Sequence, residues 1–459
     1  MQAPLSIAPE DVSAFGYTQE LNRSLGLFDL LAYGLVFITP LAPVAVFGIV
    51  FNASHGMVPL VYVIGLVAMV FTALGYMAMS EAFPVAGSVY AYVARSLGQT
   101  AGFFAGWAIM LDYVLIPTLA YVVSAIAIAS VFPGVSKQLC IVVMLVIATV
   151  VNYLGIETTA RTSFALLAFQ IVVLVVFAAY GIAAVAHHVG GAHVSLLPLY
   201  NPAEVTPSLV FGALSLAVLS FLGFDAISTL AEESKDGSAM VGRATMLSLV
   251  LSAVLFVAQT WIASLFLLGH TSLATGAATD NAFYDVATVV GGAWFKFLLA
   301  VPGIFLSSLA GAITAQAATA RLLFGMARDR ELPRALAYVD PTRRVPTRAV
   351  LLVAAITLVT GLLLSDRLEL LTSMVSFGAL LGFLMLQVSV VAHFIVRSKS
   401  RNWPRHLVTP LVGFAIVAYV LVNAEPAAKI AGVSWMAAGV LAFAALKLTR
   451  RPTALPKEL

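Results

Sequence analysis

The segment from Ser220 to Ser234, "SFLGFDAISTLAEES", places an aspartate and two glutamates directly after a long apolar run. The residues before it, 207–219, read "PSLVFGALSLAVL" and carry no charge. Gly223 interrupts this run just before Asp225, close to the middle of the apolar stretch. A charged side chain at membrane depth is costly and marks a ligand pathway or a partner. The segment therefore predicts a functional site at the interruption of a membrane helix.

The composition of the chain is that of a membrane protein. Of its 459 residues, 61% are hydrophobic and only 10% are charged, and the mean hydropathy is +1.02. A soluble domain carries about 25% charged residues. The charges fall between apolar runs that reach the roughly 20 residues needed to cross a bilayer as a helix. Because backbone polar groups must be paired within hydrocarbon, these runs predict an all-α membrane protein.

The apolar runs predict twelve transmembrane helices, spans 1 to 12. Residues 1–23 are polar and contain no apolar core, so we expect a cytoplasmic N-terminal segment and not a cleaved signal peptide. The loops between the spans are short, and we expect no soluble domain. The predicted spans cover residues 27–51, 59–80, 101–131, 138–156, 162–186, 207–231, 244–268, 293–326, 348–364, 370–396, 407–423 and 430–448.

The positive charges predict the orientation of the chain in the membrane. If the N-terminus is cytoplasmic, 20 of the 24 Lys and Arg residues fall on the cytoplasmic side. Cytoplasmic loops are enriched in these residues, so both termini are predicted to be cytoplasmic. The net charge of +3 follows from this asymmetry and indicates no nucleic-acid partner. The residues on the outer side are Lys137, Lys296, Arg367 and Lys429.

Two spans are interrupted at matching positions. Span 1 contains "FITPLAPVAVFG" at residues 37–48, in which Pro40 and Pro43 each remove a helical hydrogen bond. Span 6 is interrupted at Gly223. Each is the first span of a five-helix block, and such paired breaks indicate an inverted-repeat transporter with its site at the breaks. The predicted single domain, 1–459, then comprises a first repeat at 24–187, a second at 206–396, two further helices within 407–448 and a cytoplasmic tail at 449–459.

Four stretches of the chain resemble a known family. Residues 81–98, "EAFPVAGSVYAYVARSLG", follow span 2, and residues 106–113, "GWAIMLDY", lie in span 3. Residues 221–233, "FLGFDAISTLAEE", lie in span 6, and residues 320–333, "ARLLFGMARDRELP", end span 8. In order and spacing, these stretches resemble the amino acid–polyamine–organocation superfamily of permeases, and within it the bacterial putrescine importers. The resemblance covers all but the termini.

This resemblance implies a LeuT-like fold of two inverted five-helix repeats. Helices 1 and 6 would be unwound at mid-membrane and hold the substrate, and helices 3, 8 and 10 would wall the site. Proton symport is common among bacterial members, so the proton is the expected coupling ion and sodium the less expected one. The expected location is a bacterial-type inner membrane, in contact with lipid. No cofactor and no resident metal is expected.

Asp225 and Asp112 are the two carboxylates predicted within the spans. In the family, the residue at the position of Asp225 lies beside the substrate and takes part in gating or ion sensing. Asp225 is therefore predicted to bind a cationic amine, to exchange a proton, or both; alternatively it caps the second half of helix 6. Asp112 in span 3 is either a second amine ligand or an anchor for the broken part of helix 1.

The break in span 1 departs from the family pattern of amino acid permeases. Their break reads like GSGI, and its N–H groups hold the substrate carboxylate. Here the stretch from Ile38 to Pro43 contains no glycine, and its two prolines have no N–H. A substrate with amines and no carboxylate needs no such donors, which favours a diamine such as putrescine. Alternatively, Thr39 and the remaining N–H groups still hold a carboxylate.

The remaining predicted substrate residues flank the two breaks. Main-chain carbonyls at the unwound segments would accept from the ammonium groups, and aromatic faces would pack the methylene chain or attract an ammonium by a cation–π contact. Among the aromatic residues, Phe221 is the preferred candidate. The predicted set comprises Phe37, Ile38, Thr39, Pro40, Leu41, Tyr113, Phe221, Leu222 and Gly223, in addition to Asp225 and Asp112.

Coupling and gating are assigned to a smaller set of residues. Some proton-coupled relatives have a lysine in span 5, and the matching position here is Gln170, which does not titrate. The proton carrier would then lie elsewhere, with Asp225 as the candidate. Glu81 is predicted to belong to an inner gate, as are Asp29, Glu232 and Glu233. Ser307 and Ser308 in span 8 could offer ligands to sodium, or could serve helix packing.

The sequence contains no motif of an enzyme. HExxH, CxxC, GxxxxGK[ST] and GxSxG are absent, and the seven histidines are scattered. The predicted function is therefore import of a small cationic amine, with putrescine as the best candidate, by proton symport. An amino acid symporter or exchanger of the same superfamily is the alternative. A receptor without transport activity is a third possibility, but the chain shows no soluble output domain.

Overall fold

The computed structural model describes residues 23–85, 88–131, 134–154, 156–235, 237–302, 309–424 and 426–449. Regular structure within these ranges is helical, apart from an isolated β-bridge between Leu25 and Ser234. The first half of the chain contains α1 (Leu27–Ile38), α2 (Ala42–Ala53), α3 (Val58–Ala82), α4 (Ser88–Leu97), α5 (Gln99–Val131), α6 (Lys137–Leu154), α7 (Ile156–Ala186) and a 3₁₀ turn (Val189–Gly191).

The second half of the described chain is also helical, with several 3₁₀ and π-helical segments. Its long helices overlap the predicted spans. It contains α8 (Pro207–Phe221), a 3₁₀ helix (Phe224–Glu233), α9 (Ser238–Ser264), a 3₁₀ turn (Leu265–Leu267), α10 (Ala277–Asp280), α11 (Ala282–Gly291), α12 (Ala293–Pro302), α13 (Leu309–Arg328), a 3₁₀ turn (Arg334–Ala337), α14 (Thr347–Leu364), α15 (Leu368–Val390), π-helices (Val391–Arg397 and Pro404–Val408), α16 (Thr409–Asn423) and α17 (Pro426–Thr449).

The helices agree with a multi-pass membrane protein. In the described ranges, ten helical segments are long and apolar enough to cross a membrane, and the bent pair α1–α2 raises this number to eleven if it forms one span. Predicted span 8 corresponds to α12 and α13, but residues 303–308 between them, with Ser307 and Ser308, lie outside the described residues. The chain is therefore a helical membrane protein, with ten or eleven candidate spans among its described residues.

The first interruption separates α1 from α2, which are bent by 43° relative to each other. Pro40 cannot donate to the carbonyl of Val36, and the hydroxyl of Thr39 donates to it instead, at 3.1 Å. Pro43 cannot donate to the carbonyl of Thr39, and the N–H of Ala42 does so at 2.8 Å. Thr39 has a φ of 62°, which is uncommon for a β-branched residue. The break predicted from the two prolines is thus present.

The second interruption separates α8 from the 3₁₀ helix Phe224–Glu233. Leu222 ends α8 in an extended conformation, and Gly223 has a φ of 114°, which suits glycine. A Cβ at residue 223 would overlap the ring of Phe37 and lie 3.0 Å from the nitrogen of Ile38. Glycine here therefore allows both the turn and the close approach of the two breaks.

The helix after the second break has an unusual conformation. The 3₁₀ segment Phe224–Glu233 is ten residues long, whereas runs beyond about four residues are uncommon because the hydrogen bonds are poorer. Hydroxyls support it: Ser228 donates to the carbonyl of Asp225, and Thr229 donates to the carbonyl of Ala226, both at 2.6 Å. A 3₁₀ stretch within a longer helix often marks a hinge.

The packing of the long helices brings the two breaks into the centre of the bundle. α5 packs against α13 and α15, and α3 packs along α9. α1 lies against α9, α13 and the 3₁₀ helix. Residues from both breaks are buried, as are Asp112 and Asp225. Two buried carboxylates therefore lie where the broken helices meet α5.

Gly48 of α2 offers a test of this packing at a distance from the breaks. A Cβ there would overlap the main-chain carbonyl of Thr279 in α10, which is not able to rotate away. We expect Gly48→Ala to destabilise the fold by about 1–3 kcal/mol, as overpacking does. Thermal unfolding in detergent measures the change.

Gly212→Ala is the matched control for this prediction. Gly212 is also helical, in α8, and no described heavy atom lies within 4 Å of an added Cβ. Alanine at an open helical position is favoured over glycine by about 1 kcal/mol. We therefore expect Gly212→Ala to keep or raise the midpoint of unfolding. An equal fall of the unfolding midpoint in the two variants would contradict the close contact at Gly48.

Candidate substrate site

A cavity of about 110 Å³ lies between the two broken helices. The end of α1, the first break and the start of α2 form one side of it. The last turn of α8, with Leu222, forms another side, and α5 forms a third. Gly311 of α13, together with Leu368 and Thr372 of α15, completes the lining. The cavity thus lies among the helices that correspond to predicted spans 1, 3, 6, 8 and 10.

The lining of the cavity is apolar and uncharged among its described residues. Its side-chain hydroxyls belong to Thr39, Ser220 and Thr372. Two are already engaged: Thr39 donates to Val36, and Ser220 shares a hydrogen bond of 2.8 Å with the hydroxyl of Tyr62. The hydroxyl of Thr372 has no partner among the described residues. The cavity can therefore hold a methylene chain and offers little to a carboxylate.

The helix ends around the cavity carry partial charges. α1 ends at Ile38 and α8 ends at Phe221, so the carbonyl ends of both helices adjoin the cavity. The carbonyl end of a helix carries a partial negative charge, roughly half an elementary charge. The opposing N-terminus of α2 is weak as an anion site, because Pro43 has no N–H and those of Ala42 and Val44 donate to Thr39 and Leu41. These ends favour a cation.

Asp225 lies just beyond the cavity at the second break and is fully buried. Its carboxylate accepts from the hydroxyl of Tyr113 at 2.7 Å, from that of Tyr76 at 3.5 Å and from the N–H of Gly223 at 3.2 Å. The ring of Tyr113 lies 6.2 Å from that of Phe37, which lines the cavity. Tyr113 therefore lies next to both Asp225 and a residue of the cavity lining.

Asp112 is the second carboxylate beneath the cavity. It precedes Tyr113 on α5 and is fully buried, and no described residue donates a hydrogen bond to it. Asp112 and Asp225 interact electrostatically. Leaving a carboxylate bare in a protein interior is costly, so a buried one is paired or protonated. Asp112 is thus suited to receive a proton or a cationic group that reaches the site.

Two buried ion pairs lie at the end of the 3₁₀ helix Phe224–Glu233. Glu233 accepts from Arg321 at 2.6 Å, and Glu232 accepts from Arg328 at 2.8 Å, which joins the 3₁₀ helix to α13. The main-chain carbonyl of Glu233 also accepts from Leu25, next to the start of α1. The far end of the 3₁₀ helix is therefore tied to α13 and to the residues just before α1. The two carboxylates predicted to belong to an inner gate are thus ion-paired.

A more exposed ion pair lies at the start of α6. The carboxylate of Asp366, just before α15, accepts a hydrogen bond of 2.7 Å from Lys137, the first residue of α6. This hydrogen bond and the positive charge of Lys137 lower the pKa of Asp366. Both side chains are exposed to solvent, so the pair contributes little to stability.

The structure brings together most of the predicted substrate residues. Phe37, Ile38, Thr39, Leu41 and Leu222 line the cavity. Pro40, Gly223, Tyr113, Asp112 and Asp225 lie at the breaks or beneath them, outside the lining. The ring of Phe221 packs between Tyr62 and Phe256, away from the cavity lining.

Three other residues that were predicted for coupling or gating lie outside the cavity lining. Gln170 is buried in α7, and its amide has no described partner. Glu81 pairs with Arg405 at 2.8 Å at the end of α3. Asp29 accepts from the N–H of Gly26 at 2.9 Å, as a cap of α1. None of these three residues is among the described residues that line the cavity.

Sequence reasoning missed three contributors to the site. Tyr76 donates to Asp225, Thr372 lines the cavity, and Gln259 of α9 donates its amide to the carbonyl of Pro40 at 2.9 Å. Thr372 lies in a span that the resemblance assigns to the wall, which was an available signal. Tyr76 and Gln259 lie in helices that carry no break and no charge at that point, so their proximity depends on the tertiary packing.

Two adjacent broken helices beside a small central cavity, within a bundle of long apolar helices, are features of membrane transporters. Comparison with known proteins gives the family: the chain belongs to the family of amino acid permeases, whose model matches residues 27–444. Its relatives are transporters, and the chain is a permease rather than an enzyme.

Three curated relatives illustrate the range of this family. The chain is 30% identical to the low-affinity putrescine importer PlaP of Escherichia coli, over 94% of this chain and 96% of the relative. It is 29% identical to an uncharacterized transporter of Mycobacterium tuberculosis, over 98% and 96%. It is 26% identical to the branched-chain amino acid permease BcaP of Bacillus subtilis, over 94% of each. The family thus includes both putrescine and amino acid transporters.

Proposed function

We propose that the protein is a secondary active transporter that imports a small cationic diamine, putrescine in the first instance, by proton symport. The observation that carries this proposal is the electrostatics of the breaks. The carbonyl ends of α1 and α8 adjoin the cavity, two carboxylates lie beneath it, and the first break offers a carboxylate few free N–H groups. A substrate with positive charge at both ends suits this arrangement, whereas a zwitterion requires donors for its carboxylate.

The size of the cavity supports a small substrate. Its volume is about 110 Å³. An engineered protein cavity of about 150 Å³ holds benzene, which has as many non-hydrogen atoms as putrescine. The apolar lining suits the methylene chain between the two amines. Spermidine, which is longer, would require the cavity to enlarge.

We assign distinct roles to the two buried carboxylates. The carboxylate of Asp225 accepts three hydrogen bonds in this structure. A substrate ammonium would take the place of one of these donors, the hydroxyl of Tyr113. Asp112 has no described donor, so it pairs with or orients the other end of the substrate. Asp225 also exchanges the proton, because Gln170 at the alternative position does not titrate. Main-chain carbonyls from Ile38 to Leu41 and from Phe221 to Gly223 complete the ammonium sites.

The proposal includes the topology of the chain. We infer twelve spans in a LeuT-like arrangement of two inverted five-helix repeats, at residues 24–187 and 206–396. Both termini would face the cytoplasm of a bacterial-type inner membrane, because Lys and Arg concentrate on that side. The buried pairs Glu233–Arg321 and Glu232–Arg328 then close the cytoplasmic side. Glu81 and Asp29 lie at the same side.

An amino acid:proton symporter or exchanger is the second candidate. The observation that favours it is the uncharged, apolar lining, which would also hold an aliphatic side chain. BcaP, one of the relatives, is a branched-chain amino acid permease. Under this alternative, the N–H of Leu41 and the hydroxyl of Thr372 would have to hold the substrate carboxylate.

Competition for uptake separates the two candidates. The purified protein in proteoliposomes is given radiolabelled putrescine with an excess of unlabelled putrescine, butylamine or leucine. Butylamine is the matched control, because it keeps the methylene chain and one ammonium. We expect strong inhibition by putrescine, inhibition by butylamine weaker by about 100-fold for the lost ion pair, and none by leucine. Transport of leucine without any effect of putrescine would contradict the proposal.

A further inference from the structure

Gln259 connects α9 to the first break. Its side-chain amide donates to the main-chain carbonyl of Pro40 at 2.9 Å, across 219 residues of sequence. The same nitrogen lies 3.1 Å from the carbonyl of Leu255. Both neighbours are carbonyls, so the nitrogen and not the oxygen of the amide must face them. Gln259 is only 3% exposed, so this hydrogen bond lies in the protein interior and not at the surface.

Pro40 lies between α1 and α2, and its carbonyl requires a hydrogen-bond donor from another part of the chain. In a continuous helix it would accept from the N–H of Val44. Here that N–H donates to the carbonyl of Leu41, at 3.0 Å, because α2 starts on a new axis. Buried main-chain carbonyls are almost always paired, and Gln259 supplies the partner. The bond therefore exists because the helix is broken.

This bond lies directly behind the cavity. Thr39 and Leu41, the neighbours of Pro40, belong to the lining, whereas Pro40 and Gln259 are not among the described lining residues. Thr39 has a left-handed backbone conformation that is costly for a β-branched residue. Such a conformation persists only where its surroundings hold it. The contact from Gln259 holds the peptide unit between Pro40 and Leu41, one residue beyond Thr39.

We infer that Gln259 is a positioning residue for substrate binding: it fixes the first break in the conformation that forms the cavity, without contacting the substrate. The inference rests on the proposed function where it concerns the substrate. It does not depend on that function where it concerns the conformation of the break. Loss of the amide would release the peptide unit at Pro40 and change the shape of the cavity wall.

Gln387 of α15 provides a matched control. It is also a buried glutamine, 1% exposed, whose amide nitrogen donates to a main-chain carbonyl, that of Phe71, at 3.2 Å. Its described hydrogen bond joins α15 to α3 and reaches neither break, and Gln387 is not among the described lining residues. Methionine retains the length of glutamine and removes the amide. Gln259→Met and Gln387→Met therefore remove the same chemistry at two places.

The experiment compares three properties of the full-length wild type and both variants. Hydrogen–deuterium exchange of residues 35–46 is measured in detergent without substrate. The KM and the maximal rate of putrescine uptake are measured in proteoliposomes, and thermal unfolding is recorded. For Gln259→Met we expect exchange about fivefold faster in this segment, as for the loss of one hydrogen bond. We also expect KM to rise by a similar factor, with little change in maximal rate or in unfolding.

The outcome for Gln387→Met decides the interpretation. We expect wild-type exchange in residues 35–46 and a wild-type KM. Unchanged exchange in Gln259→Met, or an equal change in both variants, would overturn the role of Gln259. If the wild type does not transport putrescine, the proposed function fails while the exchange comparison still tests the positioning role. If Gln259→Met does not fold, Gln259→Asn, which retains the amide on a shorter side chain, takes its place.

Discussion

Asp225→Asn is expected to lower the rate of putrescine uptake by about 100-fold, the cost of removing one partner of a buried charge pair. The substitution retains the shape of the side chain and an oxygen that can accept from Tyr113, so the fold should persist. It removes the charge that would pair with the substrate ammonium and the group that would exchange the proton. Initial uptake of radiolabelled putrescine into proteoliposomes measures the effect.

Counterflow distinguishes the two roles of Asp225. Exchange of labelled for unlabelled putrescine needs substrate binding but no net proton movement. If Asp225 both binds the amine and carries the proton, Asp225→Asn loses counterflow as well as uptake. If it only carries the proton, counterflow persists. Asp366→Asn, at an exposed carboxylate, is the control and should leave both activities intact. If Asp225→Asn takes up putrescine at the wild-type rate, the assignment of Asp225 to the substrate site is wrong.

Arg321→Ala is expected to destabilise the protein by about 3–5 kcal/mol, because it leaves Glu233 as an unpaired charge in the interior. The side chains of Arg321 and Glu233 are only 9% and 3% exposed, and they lie 2.6 Å apart. Thermal unfolding in detergent should show a large fall in the midpoint. The double variant Arg321→Met with Glu233→Leu, which removes both charges, should recover most of it.

The pair Lys137–Asp366 is the control for this prediction. Its atoms are 2.7 Å apart, but the side chains are 35% and 70% exposed. Solvent screens such a pair, so Lys137→Ala should cost less than about 1 kcal/mol. Equal costs for Arg321→Ala and Lys137→Ala would contradict the burial of the inner pair. A double variant as unstable as Arg321→Ala would show that packing, and not the unpaired charge, causes the loss.

The two breaks were predictable because their causes are local. Pro40 and Pro43 lack the N–H groups that a continuous helix needs, and Gly223 adopts a positive φ that other residues avoid. Both features are visible in the sequence. The burial of Asp225 also followed from its place in an apolar run. These elements depend on nearest neighbours along the chain, which a single sequence displays.

The partners across the bundle were not predictable in the same way. Asp225 meets Tyr113 across 112 residues, and Glu233 meets Arg321 across 88. The sequence indicated gate carboxylates but not which arginines they meet. Nor did it show that Tyr113 contacts both Asp225 and Phe37, because ring positions depend on how three helices pack. The role of Gln259 depends on the same packing.

The most direct test of the central claim is uptake of radiolabelled putrescine into proteoliposomes, with and without an inward proton gradient. A protonophore in a parallel sample removes the gradient and leaves the protein unchanged. We predict accumulation that depends on the gradient and that the protonophore abolishes. Gradient-independent equilibration of putrescine would contradict proton symport. No entry of putrescine, with gradient-driven entry of leucine, would contradict the assignment of a diamine substrate.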